Sequence, residues 1–367
     1  MNHPAPISAE ELARLTLELC KIPSETGHEH TLADWVEARC KAAAPGGSVF
    51  RTGNSLVCDP WGGADPPAGV PRVALVGHLD TVRCAEDQPY EITDGRVYGC
   101  GASDMKSGVA VMLALLERWR GCSAAWPVWI FYEGEEGPEL GNGLGPVLKS
   151  GVLPKLALAF VLEPTDRALQ LGCMGVLHAE LTVRGTRAHS ARPWQGRNAV
   201  YRALPLLERF AARERSDVRF GELVFHEVMV VTQARTANSR NVVPDALVLN
   251  VNVRFAPGKT AEEAEQELRA FVGEDAEVEV VDRSPAGAVY LDHPLLEPWR
   301  KREGLEQLPK QAWTDVARLT ANGIPAVNFG PGETAQCHQA NEWCSIESLM
   351  HCYGALERFL TGAALGA

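Results

Sequence analysis

Four apolar runs along the chain end abruptly in polar residues of one chemical kind. VALVGHLD (73–80) closes on Gly77-His78-Leu79-Asp80, and PVWIFYEGEE (127–136) closes on three acids. LALAFVLEP (156–164) closes on Glu163, and IPAVNFG (324–330) is followed shortly by His338. Near-continuous apolar runs of this length read as strands buried on both faces. In open α/β sheets, ligands bind beyond the carboxyl ends of such strands. The pattern therefore predicts one sheet that gathers a metal site along one edge.

Other segments carry helical signals. SAEELARLTLELCKI (8–22) opens on Ser8 with Glu11 three residues on, a capping box ahead of an apolar face. Residues 30–43 predict a second helix, and 48–59 a strand with a polar kink at Thr52-Gly53-Asn54. VAVMLALLERW, which follows Gly108, is a strongly apolar helix. Residues 294–308 and 345–360 complete the helices of this part.

Between 177 and 282 the pattern changes. LHAELTVRG (177–185) and DALVLNVNVRF (245–255) alternate strictly, as half-exposed strands do. With a helix at 196–214 despite Pro205, a strand at 226–234, a helix opened by Thr260 and Glu263, and a strand at 276–282, the order is β-α-β-β-α-β. That is the split βαβ, ferredoxin-like motif. The expectation is an α/β protein with a mixed, mainly parallel central sheet flanked by helices (1–176 and 284–367). An α+β lid or dimerisation domain is inserted at 177–283.

Composition narrows the function. The net charge is −12, with no basic run or basic-aromatic stripe, which argues against nucleic-acid binding. No segment approaches the ~20 apolar residues of a membrane span, and the amino terminus lacks a signal-peptide pattern. A cytoplasmic protein is expected. The ten cysteines form no CxxC pair, so neither a zinc knuckle nor a disulfide framework is suggested, and most read as small buried residues.

The candidate site residues are His78, Asp80, Asp104, Glu135, Glu136, Glu163 and His338. Two imidazoles and several carboxylates make an N/O donor set suited to Zn²⁺, with Mn²⁺ or Co²⁺ as alternatives. Each residue also has a plainer reading. Asp104, at the mouth of a helix, fits an ordinary N-cap, and Glu133, Glu135 and Glu136 fit a solvated turn. Gly99-Cys100-Gly101 invites a phosphate-loop reading, but the third glycine is misplaced and no Gly-Lys-Ser/Thr follows. His28, His30, His178, His226, His293 and His351 lack any comparable context.

Taken together, these motifs resemble the zinc-dependent deacylase and aminopeptidase superfamily of carboxypeptidase G, aminoacylase, acetylornithine deacetylase and succinyl-diaminopimelate desuccinylase. The resemblance rests on Gly77 to Val82, Gly99 to Gly108, Glu135-Glu136, Glu163-Pro164-Thr165, and His338 with Asn341-Glu342. In the inserted part it rests on Gly185 to Pro193, Asn241 to Pro244, and Arg254. Within the superfamily, Arg51 to Ser55, Arg187 to Arg192 and Trp313 to Arg318 are similar to desuccinylases of actinobacterial type. The chain departs from the family in having Cys100 where an arginine is usual, and in the Glu133-Gly134 lead into the acid pair.

The resemblance implies two Zn²⁺ per subunit. His78, Asp104 and Glu163 would hold one, and Glu136, His338 and a bridging Asp104 the other. Asp80 would orient His78, and Glu135 would be the general base. His189, from the partner subunit of a homodimer formed through the lid, would stabilise the oxyanion. Arg254 and Asn241 would bind the substrate carboxylate, Thr314 and Arg318 would line the acyl pocket, and the Asp104–Met105 peptide would be cis. The activity implied is hydrolysis of an N-acyl amino acid, foremost N-succinyl-L,L-diaminopimelate in lysine and peptidoglycan synthesis. A related deacylase or carboxypeptidase is the alternative. A non-catalytic zinc-binding dimer and a nucleotide-binding protein are the readings from other classes.

Overall fold

The computed structural model describes residues 7–119 and 124–363. Residues 1–6 of the amino-terminal reading, and Cys122, lie outside them. The chain divides into two compact units. One comprises Met1–Gly172, Tyr290–Leu308 and Thr314–Ala367, and the other Cys173–Val289 and Pro309–Trp313. The second unit thus starts and ends a few residues outside 177–283 and also takes in Pro309–Trp313. That segment is tied to it by Met174 N–H donating to Ala312 O and by Gln311 Nε2 donating to His226 O.

The first unit is built on an eight-stranded sheet. In spatial order its strands are Ser48–Thr52, Ser55–Asp59, Trp126–Tyr132, Arg72–His78, Leu158–Val161, Ala326–Asn328, Leu169–Leu171 and Gln307–Pro309. The four apolar runs are the four central neighbours, and they pair in parallel. Every residue of Arg72–His78, Leu158–Val161 and Ala326–Asn328 is buried, which is why these strands show no alternation. The strand with a kink expected at 48–59 is instead a tight antiparallel hairpin. Gly53, at φ +59°, makes the turn, and Thr52 pairs with Ser55.

Helices flank the sheet. Ala9–Lys21 has the Ser8–Glu11 capping box, and His30–Ala43 matches its expected bounds. Lys106–Arg118 is buried from Lys106 through Leu116, so its nearly all-apolar sequence belongs to a central helix without a solvent face. Gly108 lets this helix sit against the end of a neighbouring strand: a Cβ there would run into the Leu162 carbonyl. The helix expected at 294–308 is shorter, Leu296–Glu303. Gly304 ends it in the left-handed region, and Gln307–Pro309 continues as an edge strand.

The second unit has a five-stranded antiparallel sheet in the order Ser216–Phe220, Leu223–Arg235, Ala246–Phe255, Gly175–Arg184, Glu277–Ser284. Leu177, Leu181, Leu249, Val251 and Val253 face a core closed by Leu206, Leu268 and Val272 of its helices. The opposite face is polar, and there Asn252 Nδ2 lies 2.9 Å from His178 Nε2. Two expectations are corrected. The helix over 196–214 is two helices, Ala199–Arg202 and Leu204–Ala212, because Pro205 fits only a first turn. The four-stranded motif gains Ser216–Phe220, an exposed edge strand whose charges hide it from a periodicity search.

A disulfide joins Cys84 to Cys100, where the cysteine spacing suggested no disulfide framework. Sixteen residues separate the two, and only the fold brings their Cα atoms to 5.7 Å. Among the other described cysteines, Cys20, Cys40, Cys58, Cys173, Cys344 and Cys352 are buried, and Cys337 is half-buried. Among the described residues no helix is long and apolar enough to cross a membrane.

Candidate metal centre and its family

Parallel strands deliver their carboxyl ends to one edge of the sheet, and the donor residues converge there. His78 is the last residue of Arg72–His78. Glu135 and Glu136 follow Trp126–Tyr132, and Glu163 follows Leu158–Val161. His338 lies ten residues beyond Asn328, in a loop where its φ is +62°, a left-handed conformation that histidine visits more readily than most residues.

His78 Nε2 lies 3.2 Å from Asp104 Oδ1 and 3.9 Å from Glu163 Oε1. His338 Nε2 lies 2.9 Å from Glu136 Oε1 and 3.7 Å from Asp104 Oδ2. The two oxygens of Asp104 thus face the two imidazoles, one each. Donor atoms of His78, Asp104 and Glu163 lie within 4.8 Å of one another, and so do those of Asp104, Glu136 and His338. His78, Glu135 and Glu136 form a third such group. Asp104 does not cap the following helix: Met105 occupies that position without a side-chain bond. The Asp104–Met105 peptide is cis.

Charge balance tests whether this donor set suits a cation. Asp80, Asp104, Glu135, Glu136 and Glu163 surround two imidazoles, of which His78 is fully buried and His338 is half exposed. Burial pushes Glu135 well above the ordinary carboxylate range, and the nearby Glu163, Glu136 and Asp315 add to it against the pull of His78. Burial would depress His78, but Asp104 and Asp80 outweigh it and hold the imidazole well above its usual value. Its hydrogen bond to Glu136 lifts His338 to about 9. In the absence of a metal the surrounding carboxylates favour the protonated form of both imidazoles, whose nitrogens would otherwise be ligands. Divalent cations would replace those protons, so the residues fit such ions.

Asp80 organises the site from behind. Its two carboxylate oxygens accept the backbone N–H groups of Glu135 and Glu136, each at 3.0 Å, and Thr26 Oγ1 donates to it as well. His78 Nδ1 lies 3.0 Å from the Asp80 main-chain oxygen and 3.5 Å from its carboxylate. The orienting contact is therefore shared between backbone and side chain, and it leaves Nε2 turned to the carboxylates.

Glu342, which sequence reasoning placed only within a motif, plays a comparable part. Its buried carboxylate accepts the N–H groups of Gly101, Ser103 and Asp104 at 2.7–2.9 Å, and its carbonyl accepts Gly99 N–H. Burial lifts it to about 7 despite those bonds. One residue thus ties the Asp104 loop to the segment that carries His338. Glu342→Ala would strand three buried donors and is expected to cost about 3 kcal/mol or more, at roughly 1–3 kcal/mol per unsatisfied group. Denaturant unfolding checks this, and a loss below about 1 kcal/mol would refute the clamp.

The other expected residues fall in different surroundings. Thr314 is buried, its hydroxyl donating to Asn328 Oδ1 at 2.9 Å. Arg318 makes a bidentate pair with Glu139 and donates from Nε to Asp315 at 2.7 Å. In the second unit, His189 and Asn241 are exposed neighbours around the short ribbon of Ala188–His189 with Val242–Val243, where Ser190 N–H donates to Asn241 O. Arg254 projects from the polar face of the five-stranded sheet, and its Nε donates to Asn252 Oδ1.

A sheet with a parallel core, at whose carboxyl edge two imidazoles and five carboxylates converge, has the donor set of a metal-dependent hydrolase. The chain belongs to the peptidase family M20/M25/M40, whose model matches residues 74–362. A succinyl-diaminopimelate desuccinylase of Corynebacterium glutamicum is 34% identical over 356 residues, covering 95% of each chain. A Mycobacterium tuberculosis protein that bears the same desuccinylase name, provisionally, is 35% identical over 95% of this chain and 97% of its own. In fold, the chain resembles a tripeptidase of Staphylococcus aureus, with a TM-score of 0.80 at 21% identity over 97% of this chain and 99% of that one.

Proposed function

We propose that the chain hydrolyses N-succinyl-L,L-diaminopimelate to succinate and L,L-diaminopimelate, using two divalent cations, in the first instance zinc. The reading is supported above all by near full-length similarity to desuccinylases at 34–35% identity, joined to a donor cluster in which Asp104 faces both imidazoles. His78, Asp104 and Glu163 would hold one ion, and Asp104, Glu136 and His338 the other. Bound there, the ions supply Lewis-acid polarisation of the amide carbonyl and stabilise developing negative charge.

The chain's own residues supply the rest. Glu135 takes a proton from the attacking water and hands it to the leaving amine. Asp80 fixes the loop that carries it. Arg254 and Asn241 would take the substrate carboxylate, Thr314 and Arg318 would line the acyl side, and His189 would stabilise the oxyanion in the partner's site. The second unit would serve as lid and dimer contact. Trp194, Tyr201 and Leu204 of that unit are 76%, 70% and 50% exposed. A cytoplasmic location, suited to an enzyme of amino-acid biosynthesis, belongs to the same proposal.

A substrate panel tests the reading. With zinc added, kcat/KM is expected to be highest for N-succinyl-L,L-diaminopimelate, at least about tenfold above N-acetylornithine and simple dipeptides. Truncating the acyl group by a carboxylate leaves its partner unpaired, and tenfold corresponds to only about 1.4 kcal/mol. Preference for the acetyl substrate or a dipeptide would move the chain to another activity of the family.

A further inference from the structure

The cystine between Cys84 and Cys100 lies outside the ligand set yet touches both segments that build it. Cys84 is four residues past Asp80, and Cys100 is four residues before Asp104. Cys100 is 4% exposed, whereas Cys84 is half-buried and reachable. Both line a cavity of about 150 Å³, whose other walls include His338, Gln339 and Glu342. The less buried half of the cystine thus shares a small cavity with a candidate ligand loop.

From this geometry we propose that Cys84–Cys100 is a thiol–disulfide exchange site, and that a low-molecular-weight thiol captured on Cys84 disables the metal centre through the His338 loop. Attack comes at Cys84, the less buried half of the cystine, because exchange requires an approach to the sulfur attacked. The thiolate forms a bond to Cys84 Sγ and the Cys84–Cys100 bond breaks, so its electron pair leaves on Cys100 Sγ. Thr81 Oγ1, 3.7 Å from that sulfur, is placed to donate to the departing thiolate. A second thiol then displaces Cys84 from the mixed disulfide, releasing the small disulfide and leaving two cysteine thiols. Two thiols are oxidised and one cystine reduced.

The consequence follows from volume. This cavity is smaller than the roughly 300–1,000 Å³ of pockets that accept small ligands, so a tripeptide thiol on Cys84 extends past it, over the neighbouring segment of His338 and Gln339. The dithiol state carries no such bulk, and Glu342 still holds the Gly101–Asp104 loop through its three N–H bonds. The adduct, rather than reduction as such, is therefore the disabling state. Under the cytoplasmic location proposed above, a disulfide is expected to be redox-active, and this one lies where exchange has an effect.

The test treats the whole protein with glutathione and glutathione disulfide at graded ratios. It then reads peptide masses, zinc binding by calorimetry, and turnover. The expected result is one glutathione on the peptide holding Cys84, with a loss of about tenfold or more in metal affinity or turnover, the scale seen when groups around a metal site are disturbed. Excess dithiothreitol should reverse it, and Cys84→Ser should be insensitive while keeping its basal turnover. The proposal fails if Cys84 and Cys100 are both alkylated without reductant. It fails equally if the adduct maps to Cys337, or if the Cys84 adduct leaves zinc affinity and turnover unchanged. Mass mapping and zinc binding need no substrate, so they decide this point even if the substrate assignment falls.

Discussion

Glu135→Gln is expected to leave metal content intact and to lower kcat by about 10³-fold, the middle of the range that general acid–base catalysis contributes. Glutamine keeps the size of the side chain and the backbone N–H that Asp80 accepts at 3.0 Å, so the loop stays where it is. What it removes is the proton shuttle. Glu135 belongs to neither of the two donor groups that share Asp104, but it does belong to the group with His78 and Glu136. Metal analysis of the variant therefore separates two roles. Unchanged stoichiometry with collapsed turnover identifies a proton carrier. Loss of one equivalent of metal makes Glu135 a ligand, and near-normal turnover removes it from the chemistry.

Asp104→Ala should be more damaging, because one side chain serves both donor groups. Disturbing residues that merely support metal ligands costs about 10–100-fold in affinity, so removing a shared ligand should cost more than about 100-fold at both positions. Calorimetric zinc titration of the variant should show both binding events weakened. The control is Glu163→Ala, which belongs to only one of those two groups and should weaken a single event. Retention of one tight event in Asp104→Ala would show that Asp104 is not shared.

Much of this arrangement could be read directly along the chain. The four apolar runs are the four central strands, because a strand buried on both faces has to be apolar throughout. Ser8 and Thr260 mark helix starts with full capping boxes, since that bonding is local. What escaped were features held by distant partners or too short to show a period. Ser216–Phe220 is a strand only because Leu223–Arg235 pairs with it. Leu296–Glu303 stops early at a left-handed glycine. Glu342 looked like any acid near a histidine until its three backbone partners, about 240 residues away in sequence, came into view.

Residue types and their order determined the donor chemistry: which side chains end the buried strands, and that they are imidazoles and carboxylates, a set suited to divalent cations. Tertiary structure decided the distances. The chain alone does not say that Asp104 would turn one oxygen to each histidine instead of capping its helix, or that Asp80 would spend its carboxylate on the Glu135-Glu136 backbone. Nor does it say that Cys84 and Cys100 would meet beside His338. Periodicity and capping are properties of neighbouring residues, whereas these contacts join loops that become neighbours only once the sheet has formed.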